Sequence, residues 1–522
     1  MRKGSLLFLF LLHLFSLKAE KYYLYLTDKD GEHLNPYSYF HVNTLERRKR
    51  CDLPLVQKSD LPVRSDYIEQ IARRVDSITV VSRWFNMLCI HTSGDIAQLS
   101  SLPFVKRIER PQQLDAHLSI IDSSFATYSE ALKFFQTERM EASVFAKEQI
   151  NGRGVIVAII DAGFTGMKAN QAYEHMDVLK TWDFVRNDDN AYRGSGHGAA
   201  VAACLGGVDV EDNTFLGMAP EAKYLLARSE RILSEATADE EYWLAAAEWA
   251  DKHGADVINS SLGYTRRRYQ VSDMDGRTAL VSRAAKMAFR KGIVVVVSAG
   301  NEGDNSWKYI SAPADVDSVV AVGGVDPYTD AHIGFSSFGP NAEYKLKPNV
   351  CAYGSVIVPD RFNGLVISKG TSFASPLVAG FVACMLQAFP EYDQHQLFQK
   401  LQESGHLYPY FDFAHGYGIP LAGKVLENEK TYMPVPFVIE YKNEALYISL
   451  LDTNRRDEPD EVRLKKLNVY VHVKNKEGKL IFYGCYRDVF PEGRLLSMAD
   501  YDTGSEVMVH FEGTTQTYIV QQ

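Results

Sequence analysis

The sequence has no C-x-x-C pair, no long block of like charge, no low-complexity tract and no short internal repeat. Its six cysteines, Cys51, Cys89, Cys204, Cys351, Cys384 and Cys485, lie far apart, which excludes a zinc ribbon and a dense disulfide framework. Cys204 and Cys384 sit in apolar helical runs and read as core thiols, while an isolated disulfide stays open. Charged residues make up 23% of the chain and the formal net charge is -10, spread evenly. That balance gives no reason to expect nucleic acid or an anionic membrane as partner. Beyond Glu20 no segment is apolar enough to span a bilayer. What is present is a long globular chain: 522 residues, 46% hydrophobic and 12% aromatic, enough for a large core and more than one domain.

Arg2 and Lys3 precede an apolar run from Leu6 to Leu17, followed by Lys18-Ala19-Glu20. Residues 1–19 therefore read as a signal peptide cleaved after Ala19, which implies export. The run falls short of the ~20 residues of a membrane span and contains His13, which argues against an uncleaved anchor. Residues 20–112 alternate in the order β-α-β-β-α-β: "YYLYLT", "YIEQIARRV", "SITVVS", "MLCIHT", "DIAQLSSL" and "FVKRIE". That order predicts a ferredoxin-like α+β module. The four basic residues Arg47 to Arg50 are expected on a solvated helix face, with a processing site as the alternative. A connector, 113–150, contains one predicted helix, "SEALKFFQTERMEASVFAKEQ".

From Asn151 the texture changes to continuous apolar runs, "VIVAII", "YLLA", "DVIN", "IVVVVSAG" and "SVVAVGG", several of them separated by helix-like segments. This predicts an α/β domain over 151–428, with a doubly wound, mostly parallel sheet and its active site at the carboxyl ends of the strands. Residues 429–522 show period-two strands and a turn at Lys476-Glu477-Gly478, the pattern of a C-terminal β-sandwich.

Four stretches carry chemistry. "GTSFASPLVAG" places Ser372 where a loop becomes an apolar helix, and a serine there needs a base and an orienting group to react. "GVIVAIIDAGF" ends a buried strand on Asp161, "RGSGHGAAVAACLGG" sets His197 between glycines before a helix, and "IVVVVSAGNEG" ends a strand at Asn301, whose amide can donate to an oxyanion. Taken singly, each has a plain explanation as turn residue, helix cap or structural histidine. Taken together, all four fall at strand or turn edges that one side of a sheet can gather.

These motifs, with "NSSLG" from Asn259 to Gly263, resemble those of the subtilisin-like serine proteases, and the resemblance covers Asn151 to Gly423. The chain order Asp, His, Ser is the one the subtilisins are known for. The N-terminal module is similar to the inhibitory propeptides of the family, and "YYLYLTDKDG" and "KHGADVINSSLGY" look most like secreted subtilases of Bacteroidetes-type bacteria. The chain departs in having Ala199 after His-Gly, where the family often has Thr, and Asp-Ala-Gly for Asp-Ser-Gly. The first departure puts a local hydrogen bond near His197 in doubt.

The resemblance implies a secreted serine endopeptidase: Ser372 as nucleophile, His197 as base, Asp161 orienting His197, and the Asn301 side chain with the Ser372 N–H binding the oxyanion. It implies that Ser261, Leu262 and Gly263 pair with the substrate backbone, that Ser298, Ala299 and Gly300 wall the specificity pocket, and that Ala312-Pro313 is cis near its floor. Pro376 is expected in the first turn of the helix after Ser372. Protein or peptide is the expected substrate, and the chain's own propeptide, cut between Arg110 and Gln149, is the expected intramolecular inhibitor. No cofactor is required on this reading. Structural calcium stays open at "RNDDN" (Arg186 to Asn190) and "DVEDN" (Asp209 to Asn213). The implied destination is extracellular, periplasmic or the cell surface. Two other readings stay open: a catalytically silent peptide-binding relative, and a surface protein whose C-terminal β-domain carries the main role.

Overall fold

The computed structural model describes residues 19–111, 130–231, 237–266, 268–360, 362, 364–427, 437–450, 468–487 and 492–521. Residues 1–18 of the expected signal peptide and residues 113–129 of the expected connector lie outside the described residues. The described residues pack as two units: 19–34 with 57–111, and 35–56 with the chain from 130 onward.

The first unit begins with β1 (Glu20–Leu26). The chain then leaves it for α1 (Pro36–Tyr39) and α2 (Val42–Arg50), which belong to the second unit, and returns as α3 (Ser65–Ala72), β2 (Ser77–Ser82), β3 (Met87–Thr92), α4 (Ile96–Ser100) and β4 (Val105–Glu109). Its sheet is antiparallel in the order β2-β3-β1-β4, the ferredoxin-like arrangement. Leu24, Leu88, Ile90, Ile71 and Phe104 form its core.

In the second unit the connector carries two helices instead of one, α5 (Glu130–Glu138) and α6 (Ala142–Lys147), broken where Glu141 takes a left-handed conformation. Seven parallel strands follow in the spatial order β13-β12-β11-β10-β5-β9-β6: β5 (Ile156–Asp161), β6 (Asp177–Asp183), β9 (Lys223–Arg228), β10 (Val257–Ser260), β11 (Val294–Ser298), β12 (Val320–Val325) and β13 (Val350–Tyr353). One short hairpin, β7 (Val208–Asp209) with β8 (Thr214–Phe215), interrupts this succession, and another, β14 (Ser355–Pro359) with β15 (Leu365–Lys369), follows it. α7 (His197–Gly206) and α10 (Thr371–Ala388) pack together against the sheet, and α8 (Thr237–Lys252) pairs with α9 (Leu280–Arg290). α11 (Gln394–Glu403) and α12 (Ala422–Val425) close the α/β part. The expected strands are all present. β6 and β13 were not expected, because β6 is an edge strand with an exposed polar face and β13 has only four residues.

α10 is apolar on all sides and buried nearly throughout. Among the described residues it is the one helix long and apolar enough to cross a membrane, yet here it is the central helix of the core. Beyond residue 437 come two antiparallel sheets, β16-β17-β20 and β19-β18-β21-β22, built from β16 (Phe437–Lys442), β17 (Ala445–Leu450), β18 (Val469–Lys474), β19 (Leu480–Tyr486), β20 (Glu492–Ser497), β21 (Glu506–Phe511) and β22 (Thr514–Ile519). They share one core, including Leu446, Ile448, Val471, Val507 and Val509, and so form a β-sandwich. Tyr470 of β18 is buried with Leu407 and Tyr410, and His472 stacks on Tyr410 at 4.8 Å while its Nδ1 donates to the Phe411 carbonyl at 2.6 Å. The six cysteines are free thiols.

The basic run from Arg47 to Arg50 departs from expectation. Lys49 is exposed, but Arg47 and Arg48 are wholly buried. Long cationic side chains are buried only when their charge is met; here Asp251 meets both guanidinium groups.

Candidate active site

Asp161 ends β5 and is fully buried. Its Oδ1 accepts hydrogen bonds from the Ala162 N–H at 2.7 Å and from His197 Nδ1 at 2.8 Å. His197 opens α7, and its N–H donates to Ser195 Oγ at 3.1 Å. The helix can start this close to Asp161 because residue 198 is glycine: a Cβ there would fall 2.6 Å from the Gly163 carbonyl oxygen and 3.0 Å from Asp161 Cβ. Burial pushes the His197 pKa down, but the Asp161 charge and hydrogen bond, with a smaller pull from Glu230, outweigh it, and the net shift is upward. With Nδ1 committed to Asp161, the other ring nitrogen is left to exchange a proton.

Ser372 is the second residue of α10, preceded by Gly370 in an extended conformation of positive φ. Pro376 lies in the second turn and not the first, at the position whose N–H would bond to the Ser372 carbonyl. That carbonyl is taken instead by Ser261 Oγ, which donates to it at 2.7 Å. Asn259 Nδ2 reaches Ser261 Oγ at 3.3 Å, and Asn259 Oδ1 accepts from Ser375 Oγ at 2.8 Å. A buried polar chain thus stitches the carboxyl end of β10 to the first turn of α10.

Asn301 is exposed at the end of β11, and its Oδ1 accepts from both the Thr371 N–H (2.9 Å) and Thr371 Oγ1 (2.8 Å). The amide is thereby fixed with its Nδ2 donors turned to the other side. The rings of His197 and Phe373 lie 5.6 Å apart. The Asp161–His197 pair lies against Phe373 and Asn301 against Thr371, the two neighbours of Ser372, at the carboxyl edge of the sheet.

Of the expected pocket residues, Gly263 is exposed and Gly300 is half-buried, while Ser261, Leu262, Ser298 and Ala299 are buried. Tyr264 pairs with Ala312 by N–H to carbonyl bonds of 3.0 and 3.1 Å, and the Ser311 N–H donates to the Ala299 carbonyl at 3.0 Å. These bonds hold the 261–264 and 298–300 segments on either side of residues 311–312. The Ala312-Pro313 peptide is cis. Ser311 was not singled out from the sequence: a Cβ on Gly263 would fall 2.5 Å from its Oγ, and a Cβ on Gly300 3.2 Å. The signal was its place just before the cis Ala312-Pro313 peptide.

Carboxylates in and beside the two acidic loops are met by side-chain cations. Lys133 of α5 places Nζ 2.5 Å from Asp209 Oδ2 and 2.6 Å from Asp212 Oδ2. Asp188 Oδ2 accepts from Arg193 at 2.8 Å, and Asp183 from Arg228 at 2.7 Å.

The solved structure of fervidolysin from Fervidobacterium pennivorans, described as related to subtilisin, superimposes with a TM-score of 0.55 at 18% identity, covering 96% of this chain and 76% of that one. The fold is accordingly subtilisin-like. In sequence the chain is 35% identical over 256 residues to subtilisin DY of Bacillus licheniformis, covering 48% of this chain and 84% of the relative. It is 30% identical over 284 residues to subtilisin of Bacillus pumilus, covering 54% and 94%. The model of the subtilase family matches residues 152–418, and that of the peptidase S8 propeptide domain of Bacteroidota matches residues 21–124. The chain belongs to the subtilase family and is a serine endopeptidase with a propeptide domain.

Proposed function

We propose that the chain is an exported endopeptidase working through an acyl-enzyme on Ser372. His197 takes the Ser372 proton as the hydroxyl attacks the scissile carbonyl, and Asp161 holds the imidazole and stabilises its cation without itself accepting the proton. The oxyanion is received by Asn301 Nδ2 and the Ser372 N–H, with the N-terminus of α10 adding positive potential. The observation that carries this reading is the buried Asp161–His197 bond of 2.8 Å at the same sheet edge as Ser372 and a clamped Asn301. Substrate backbone pairs along Ser261 to Gly263, and its leading side chain enters between Gly263 and Gly300 toward Ser311.

The propeptide acts as an intramolecular inhibitor, and the maturing cut falls between Pro111 and Glu130. Leu132, Met140 and Phe145 are core residues, and Gln136 bonds to the Leu216 and Ile357 carbonyls, so α5 and α6 stay with the enzyme. At Asp209 to Asn213 the ammonium of Lys133 serves in place of calcium. Export rests on the signal-like sequence and on the family's propeptide. The test is labelling with a fluorophosphonate probe: wild type should label and shorten, and Ser372→Ala should do neither. An unlabelled wild type freed of its propeptide would overturn the mechanism.

A further inference from the structure

The segment from Asn35 to Val56 lies within the propeptide sequence but packs with the catalytic unit. Its contacts are largely polar. The His41 N–H donates to the Lys252 carbonyl at 2.9 Å, and Asn43 Nδ2 reaches the Gly254 carbonyl at 2.6 Å and Asp256 Oδ2 at 2.7 Å. Thr44 Oγ1 donates to the Asp251 carbonyl at 2.6 Å. The Arg47 guanidinium binds the Asp251 carboxylate and the carbonyls of Ala255 and Lys291, while Arg48 takes the other Asp251 oxygen at 3.0 Å and stacks on Phe40 at 4.2 Å. Arg50 meets Asp256 Oδ1 at 3.2 Å. One aspartate between two guanidinium groups, with two backbone acceptors on Arg47, is a site built to read arginine. Gly254, at φ +95°, is shaped for the same neighbour: a Cβ there would fall 2.6 Å from His41 Nδ1.

This site sits at the amino edge of the sheet. Asp256 precedes β10 and Lys291 lies just ahead of β11, whereas Ser261 and Asn301 follow the other ends of the same strands. Asp256 and Ser261 are five residues apart along an extended strand, roughly 17 Å. An occupant here leaves the catalytic edge open.

We propose that residues 35–56 are a lasting part of the active enzyme, a helical clip held by the arginine site of Asp251 and Asp256 after the chain is cut between Pro111 and Glu130. The Arg47 to Arg50 run is then a docking element and not a processing site. The proposal rests on the maturation reading above, and its test is arranged to fail separately from it.

Matured full-chain protein bearing a C-terminal tag is isolated under native conditions, and its components are weighed after denaturation. A fragment containing residues 35–56 should accompany the catalytic unit in stoichiometric amount. The double variant R47M/R48M should still label at Ser372 while retaining the fragment at least ~10-fold less well, because both guanidinium contacts to Asp251 are gone. In case that variant does not fold, Ser372→Ala protein with a foreign protease site inserted after Pro111 is folded first and cut afterwards. Retention of 35–56 is then measured without any activity of the chain itself. Retention in the cut Ser372→Ala protein, with no self-cleavage in wild type, would leave the clip standing and remove the maturation reading. Active enzyme free of residues 35–56 and as heat-stable as the uncut Ser372→Ala protein would overturn the clip, as would loss of the fragment from both cut forms.

Discussion

Ser261 Oγ donates to the main-chain carbonyl of Ser372 at 2.7 Å, so the strand proposed to pair with substrate and the helix bearing the proposed nucleophile share a hydrogen bond. Pro376 creates the need for it. Lacking an N–H, it leaves the Ser372 carbonyl without its helical partner, and the hydroxyl from β10 supplies one. Replacing Ser261 by alanine orphans that carbonyl. Ser261→Ala should lose about 1–3 kcal/mol of stability by chemical denaturation, and should label more slowly with fluorophosphonate. Unchanged values for both would mean the carbonyl finds water.

Asn301 is held through its oxygen by Thr371, leaving the NH₂ as donor. Asn301→Ala should cut kcat by about 100- to 1000-fold with little change in KM, because the contact forms only as charge develops. Thr371→Val should give a milder loss, since it removes one of the two bonds on Asn301 Oδ1 and keeps the one from the residue 371 N–H. Equal losses in the two variants would contradict this division of roles.

The net upward shift of His197 places the acid limb of kcat/KM above the ordinary imidazole value of about 6.5. Activity should fall as pH drops through that limb, because protonated His197 cannot serve as base. Asp161→Asn removes the cause of the rise, so the limb should move down along with a large fall in rate. A limb below 6.5 in the wild type would contradict the assignment.

A different group of histidines governs acid stability. Burial holds the pKa values of His332 and His472 down at about 4 and that of His510 at about 3, around the junction of the β-sandwich with Tyr410 and Asp412. These depressed values make the folded state bind fewer protons than the unfolded one. Their contribution to stability is full above about pH 6.5 and is lost as pH falls toward 4. Through these histidines thermal stability should drop steadily below pH 6.5. His472→Phe should lessen that slope, and an unaltered slope would move the effect elsewhere. Removing residues 431–522 strips Tyr470 and His472 from the 407–413 loop, so the truncated chain should fail to fold instead of losing only its destination.

Lys133 is buried against Asp209, and a buried carboxylate that loses its paired cation is costly. Lys133→Met should destabilise the protein by about 3 kcal/mol. Chelation by EDTA should leave the wild-type melting temperature unchanged. A marked drop with EDTA would restore calcium to the 209–213 loop.

The α/β core and the four positions gathered at its carboxyl edge were legible because both are written locally. Runs such as Val294 to Ser298 name a buried parallel strand by composition, and each reactive side chain sits beside glycines or a strand end. What could not be read depended on partners far along the chain. Arg47 and Arg48 look solvated until Asp251 is brought to them, and the Pro376 position made sense only once Ser261 was found facing Ser372. The break between α5 and α6 was hidden because Glu141, which takes the left-handed turn, carries no glycine signal.

Arg47 and the Lys291 carbonyl it binds are 244 residues apart in the chain. At synthesis rates of ~5–20 residues per second, α2 leaves the ribosome roughly 12–50 s before its acceptor exists. For that interval the basic helix has nothing to dock on. An early-made helix is therefore among the last elements to find its place, because α2 must wait for the α/β acceptors to assemble.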